Sequence, residues 1–212
     1  MTNILEHLGS NVTPQLAEML SIQLNDLKRL PSLLPQVAVL DLPEDQYIVF
    51  NTITENLGPL HAKRYPYFFI TGSAGSGKTY IANLIIDWLK TSARKNYLLL
   101  APTGIAAINI GGQTIHSTLR LTQTEAGFKS LAMHDENFKN FLQLVQTLII
   151  DEVSMVSATL LTFVADLFAR IHENNLAFGG INVILLGDLA QLPPVRAHPV
   201  FYSAVWHLFY PL

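Results

Sequence analysis

Four short apolar runs, at residues 67–71, 97–101, 147–151 and 181–186, are separated by segments of helical spacing, and each runs into a polar or glycine-rich turn. That alternation predicts an α/β fold: a central, mainly parallel sheet with helices on both faces, preceded by a small helical segment. The runs are continuously apolar, the character of strands buried on both faces of a parallel sheet. Composition agrees: half of the 212 residues are hydrophobic and only 14% are charged, enough for one good-sized domain, or a domain with an appendage.

Residues 1–40 are the helical appendage in this reading. Leu16, Met19, Leu20, Leu24, Leu27 and Leu30 recur at helical spacing after Pro14, a favoured first-turn residue, and Pro31 and Pro35 end the run. Such a stripe serves core packing or a partner, and carries no nameable chemistry. Residues 42–57 predict a second helix, starting near Pro43 with acidic residues in its first turn, where the helix dipole favours them. Ile48, Val49, Ile53 and Leu57 are expected to pack inward, leaving Gln46 near the exposed start. A glutamine amide donates and accepts together, which matches the acceptor and donor on an adenine edge, although most surface glutamines have no such role.

The chemistry begins where the first strand feeds Gly72-Ser73-Ala74-Gly75-Ser76-Gly77-Lys78-Thr79, which fills the pattern G-x-x-x-x-G-K-[ST]. The glycines let the backbone curl so that consecutive N–H groups converge on one anion. The positive end of the helix expected at 80–90 adds a fixed partial charge. Lys78 then supplies a full charge to β- and γ-phosphates, and the Thr79 hydroxyl a ligand to Mg²⁺. ATP and Mg²⁺ are therefore the expected cofactors. The plain alternative, a flexible Gly/Ser linker, does not account for a strand before and a helix after.

Past the carboxyl end of the strand at 97–101 lie Thr103, Thr114, His116 and Ser117, where open α/β sheets bind their ligands. These small donors suit phosphate contacts, and ordinary capping of two helices accounts for them equally well. Residues 120–137 are mixed and polar and predict a surface loop; helical spacing returns at 137–146. The run at 147–151 then delivers Asp151 and Glu152 to its carboxyl end, beside the phosphate loop if both strands share one sheet. Asp151 would hold Mg²⁺ through water, and Glu152 would orient and deprotonate the attacking water. An amphipathic helix is expected over 156–174, with Leu160, Phe163, Val164, Leu167, Phe168 and Ile171 on its apolar side. The last run ends at Gly187-Asp188, and Gln191 follows in a loop stiffened by Pro193 and Pro194. There the amide could sense the γ-phosphate or the attacking water; composition alone describes a proline-rich exit loop.

A net charge of −3 gives no whole-chain footprint for nucleic acid, so any such site must be local. With no cysteine, disulfides, thiolate zinc sites and cysteine nucleophiles are excluded. No stretch approaches the roughly 18 apolar residues of a membrane span, and no basic segment followed by an apolar one opens the chain. The expectation is a soluble, unsecreted protein with no membrane partner.

The order of these motifs is specific. The phosphate loop, Ala-Pro-Thr-Gly-x-Ala-Ala, Thr-Ile-His-Ser, Ile-Ile-Asp-Glu-Val-Ser-Met and Gly-Asp-x-x-Gln-Leu-Pro-Pro-Val together resemble the Pif-one family of superfamily-one DNA helicases. RecD and the Helitron-transposon helicases are similar, but the last two motifs look most like Pif-one. The resemblance runs from about residue 42 to 209 and implies a RecA-like domain over 41–212. It implies ATP-driven 5′-to-3′ translocation on single-stranded DNA, with roles in repair, recombination and telomere maintenance. Intracellular location follows, nuclear in a eukaryote. Gln46 resembles the adenine-contacting glutamine, Lys78 and Thr79 the phosphate and Mg²⁺ ligands, Asp151 the metal-binding acid, Glu152 the catalytic base and Gln191 the γ-phosphate sensor. Thr103, His116 and Ser117 fall in the stretch that resembles the DNA-contacting motifs.

Such helicases bury ATP between two RecA-like domains, the second supplying arginine fingers and half of the DNA track. Only the first is expected in these residues, so hydrolysis and unwinding are expected to need a second domain, supplied in trans. Arg196 matches no motif position and is assigned no catalytic role. Two alternatives remain: a nucleotide-binding scaffold without motor activity, and an unrelated phosphate-loop ATPase with a protein partner. Thr-Ile-His-Ser and Gly-Asp-x-x-Gln argue against the latter.

Overall fold

Helix α1 (Glu44–Asn56) opens the structure, a computed structural model that describes residues 42–57, 66–91, 93, 96–125 and 127–212. The helix expected within residues 1–40 lies outside the described residues. Glu44 and Asp45 occupy the first turn of α1, and Phe50 and Ile53 are buried along its inner side. Ile48, expected inward, is 51% exposed. The buried set Phe50, Ile53 and Leu57 follows the i, i+3, i+7 spacing of a helix face, and Ile48 falls off it.

The chain then alternates. Strand β1 (Tyr67–Thr71) is buried through its first four residues and passes through the glycine loop into α2 (Lys78–Thr91). Strand β2 (Tyr97–Ala101) leads to the short α3 (Gly104–Asn109), the two-residue β3 (Gln113–Thr114) and α4 (Ile115–Thr118). Next come β4 (Leu121–Thr124), β5 (Gly127–Ser130), α5 (Glu136–Gln143), β6 (Thr147–Ile150) and α6 (Ala158–Ile171). Strand β7 (Asn182–Gly187), buried at every residue, and β8 (Tyr210–Pro211) complete the order.

Among the described residues the main sheet has the order β3-β2-β6-β7-β1-β8, and each neighbouring pair is parallel. Side-chain alternation sorts its core into two layers. Tyr67, Phe69, Leu100, Ile150 and Leu185 point to the face covered by α5 and α6. Phe68, Ile70, Leu99, Ile149 and Leu186 point to the opposite face, with Phe50 and Ile53 of α1 and Ile81 and Ile85 of α2. The layered, doubly covered parallel sheet is the α/β fold the sequence predicts. Among the described residues no helix is long and apolar enough to cross a membrane.

One region departs from expectation. Residues 120–137 are not an open loop: β4 and β5 form an antiparallel hairpin, with Leu121 opposite Ser130 and Thr124 opposite Gly127. Ser130 Oγ donates to Leu119 O (2.6 Å), closing its base. Phe128 packs on Phe163 of α6 and against the edge of His116, with ring centroids 5.9 Å apart in each pair. The hairpin's polar residues hide its strand character because only one side of it meets the body of the protein.

Candidate nucleotide site

Strand register decides which loops meet. Thr71 of β1 is paired with Gly187 of β7, Ile150 of β6 with both Leu185 and Leu100, and Ala101 of β2 with Thr114. All the turns that carry candidate residues therefore leave the same, carboxyl edge of one parallel sheet, the edge where such folds bind ligands.

The phosphate loop is built as its sequence requires. Gly75 and Gly77 have φ of +80° and +89°, a left-handed conformation in which a side chain is strained. A Cβ on Gly77 would lie 2.5 Å from Gln46 Nε2, so this glycine also lets α1 come close. Gln46 Nε2 donates to Ser76 O at 3.3 Å, which brings the adenine candidate onto the loop from 30 residues upstream. The Lys78 ammonium donates to the carbonyls of Gly72 and of Ser73, the latter at 2.9 Å. It thus folds back over the loop's mouth, and an incoming phosphate would offer it stronger, charged acceptors in exchange. Ser73, Ala74, Ser76 and Thr79 are exposed at the start of α2.

Asp151 is buried, and its Oδ1 accepts from the Glu152 N–H at 2.8 Å. Burial pushes its carboxyl above the ordinary carboxylate range; the Glu152 N–H bond opposes this, the Glu152 charge adds to it, and the Lys78 ammonium pulls it down. The influence of Lys78 links the acid to the phosphate loop electrostatically. Glu152 itself is left-handed, with φ 50° and ψ 45°, a strain of about 1–2 kcal/mol for a residue with a side chain. Its amide on Asp151 and its carbonyl, which accepts from Met155 N at 3.1 Å, hold it there. Strain of this kind clusters at functional sites. Gly187 allows the close approach behind it: a Cβ there would lie 3.0 Å from Val153 Cγ1 and 3.1 Å from Val153 N.

The Thr79 hydroxyl and the Asp151 carboxylate are the hard oxygen donors that Mg²⁺ takes. Among the described residues no three His, Asp or Glu side chains gather into a cage.

Gln191 is exposed, in a turn that Asp188 organises. Asp188 Oδ1 accepts from Ala190 N at 3.0 Å, its carbonyl from Gln191 N at 2.9 Å and its Oδ2 from Gln191 Nε2 at 3.3 Å. The sequence reading places Asp188 at the end of the strand and gives it no role. Its signal was present, because an aspartate followed by two free amides is an Asx-turn pattern.

The candidate DNA group is mixed. Thr103 Oγ1 accepts from Ala106 N and Thr114 Oγ1 from Ser117 N, both at 3.3 Å, so these two hydroxyls cap α3 and α4. His116 and Ser117 are exposed in the short α4. Ala101 and Thr114 pair in register, which places the group on the nucleotide edge.

Comparison with known proteins bears on the family and the fold. The family model described as PIF1-like helicase matches residues 41–205. The "ATP-dependent DNA helicase Pif1" of Bdellovibrio bacteriovorus is 37% identical over 147 residues, covering 66% of this chain and 33% of that protein. The crystal structure of Pif1 helicase from Candida albicans superposes with a TM-score of 0.67 at 30% identity, over 81% of this chain and 39% of that one. A Bacteroides Pif1 structure in complex with ADP-AlF3 and single-stranded DNA gives a TM-score of 0.65 at 31% identity, over 81% and 42%. The chain thus spans about a third of the length of the Bdellovibrio relative and about two fifths of the two solved chains. With the family model matching most of its length and the RecA-like fold shared with those structures, the chain belongs to the PIF1-like helicase family.

Proposed function

We propose that residues 41–212 are the ATP-binding motor domain of a DNA helicase that couples ATP hydrolysis to 5′-to-3′ movement on single-stranded DNA, with residues 1–40 an accessory segment. The observation that carries this reading is the pairing of Thr71 with Gly187 and Ile150 with Leu185, which sets the phosphate loop, the acidic turn and the Gln191 loop side by side. In this reading the N–H groups of Gly72–Thr79 and the Lys78 ammonium bind the phosphates, while the Gln46 amide reads the adenine edge. Thr79 and Asp151 would hold Mg²⁺, which would supply charge neutralisation at the phosphates. Glu152 takes the proton of the attacking water, and the Gln191 amide reports whether a γ-phosphate is there. Thr103, His116 and Ser117 contribute to the strand track, and a second RecA-like domain supplies the arginine that stabilises charge in the transition state. The Bacteroides Pif1 complex with ADP-AlF3 and single-stranded DNA supports both ligands.

Calorimetry with Mg·ATP tests the reading. Lys78→Ala is expected to lose binding by about 100-fold or more while keeping the fold, because it removes a ligand charge from a half-exposed site. Equal affinity in wild type and variant excludes the assignment. Single-strand binding is expected to weaken steeply with salt and to ignore base sequence, since backbone contacts dominate such tracks.

A further inference from the structure

Ser154 lies two residues beyond Glu152, in the one-turn helix Val153–Met155 that the strained acid precedes. It is 5% exposed, and its Oγ has no hydrogen-bond partner among the described residues. A buried hydroxyl without a partner is costly, and such a group calls for a physical explanation. Its surroundings point to one. Ser154 and Gln191 line one cavity of about 160 Å³, with Leu189, Pro193, Val200 and Phe201 as its apolar walls. The present partner of the Gln191 amide is weak: an exposed bond to Asp188 at 3.3 Å, at the long end of the range. Gln191 can therefore leave Asp188 cheaply, and Ser154, whose hydroxyl is unpaired, belongs to the wall of the same cavity.

Resting on the nucleotide reading above, we infer that Ser154 is a positioning residue for the γ-phosphate sensor: when the Gln191 loop closes, the Ser154 hydroxyl donates to Gln191 Oε1. That bond fixes which end of the amide faces the nucleotide. With Oε1 held by a donor, Nε2 is turned to donate to the γ-phosphate; without it, the amide presents its oxygen to an anion as readily as its nitrogen. Ser154 thereby ties the acidic turn that activates water to the loop that senses the phosphate.

The test is calorimetry and thermal melting on the 212-residue chain with Mg·AMPPNP and with Mg·ADP. Ser154→Ala is expected to melt at or above the wild-type temperature without nucleotide, because it removes an unpaired buried hydroxyl. Its affinity for Mg·AMPPNP is expected to fall roughly fivefold, the size of one neutral hydrogen bond, while its affinity for Mg·ADP holds. Gln191→Ala should show the same selective loss, and the double variant no further loss. Ser154→Thr, which keeps the hydroxyl, should retain discrimination between the two nucleotides. Unchanged Mg·AMPPNP affinity in Ser154→Ala, an equal loss for both nucleotides, or losses that add in the double variant overturn the proposal. Lys78→Ala, run alongside, separates the two failures: wild-type binding by that variant brings down the nucleotide reading itself, whereas its loss of binding beside an unaffected Ser154→Ala brings down only the role of Ser154.

Discussion

The loops after β1 and β7 leave the sheet at paired residues, Thr71 and Gly187, yet they are built in opposite ways. The phosphate loop closes on itself: two left-handed glycines set its curve, Lys78 bridges its carbonyls, and a 14-residue helix follows at once. The Gln191 loop has no such helix. It is exposed from Leu189 to Pro193, stiffened by prolines, and organised by the side chain of one aspartate. An anion cradle must be rigid, since its N–H groups act only if they converge before the ligand arrives. A loop that senses a phosphate, the role proposed for Gln191, would need two positions, and so resting bonds weak enough to exchange.

The largest expected effect lies between the loops. Glu152→Gln, in the chain completed by fusion to a second RecA-like domain from a relative, should lower DNA-stimulated hydrolysis by about 10²- to 10⁴-fold. Calorimetry should find its Mg·ATP binding intact; loss of binding would make Glu152 part of the cradle and blur the contrast. Next comes the rigid loop. Gly77→Ala forces a side chain into φ +89° and displaces Gln46, at a strain of about 1–2 kcal/mol. A lowered melting temperature together with about tenfold weaker nucleotide binding is the expected result. A variant with wild-type melting and affinity would show that the loop's curve is not fixed.

The Gln191 loop should respond more mildly. Asp188→Ala releases the Ala190 N–H and the Gln191 amide, both exposed, so stability should change by less than about 1 kcal/mol. Amide exchange at Ala190 should nevertheless quicken; unchanged exchange would mean that the prolines alone hold the turn.

The smallest effect is a control distant in kind from both loops. Asp135 caps α5 through Phe138 N (3.0 Å) and pairs with Arg120 (2.8 Å), whose guanidinium also lies 4.2 Å from the Phe138 ring centroid. The Arg120 bond, followed by the Phe138 N–H, holds the Asp135 carboxyl below its ordinary value of 3.8. Stability from this group is therefore present above that value and lost as pH falls through the lower, folded-state value. Melting of wild type and Asp135→Asn should differ at neutral pH by a surface pair's worth, roughly 0.2–1 kcal/mol, and converge in acid. Nucleotide affinity at neutral pH should not change; if it does, the hairpin region and the nucleotide edge are coupled.

How much was legible in the sequence follows the same divide between local and distant causes. The four central strands were readable because burial on both faces demands uninterrupted apolar residues, and the phosphate loop because its glycines answer to backbone geometry within eight positions. Strand β8 was not readable. Two residues containing a proline carry no periodic signal, and Tyr210 and Pro211 are a strand only because Leu212 N finds Phe69 O at 2.8 Å and Thr71 N finds Leu212 O at 2.9 Å. The β4–β5 hairpin was hidden for a similar reason: its order depends on Phe128 meeting Phe163, a residue 35 positions away.

The sequence by itself determined the alternation of strands and helices, the anion loop and the acids at a strand's end, since each depends on neighbours along the chain. The tertiary structure alone decided the rest. It placed Gln46 against Ser76, set Glu152 in a left-handed conformation, brought Val153 against Gly187, and left the Ser154 hydroxyl buried and unpaired in a residue that lines the same cavity as Gln191. Those contacts arise from strand register and from the packing of side chains remote in sequence, which no local pattern encodes.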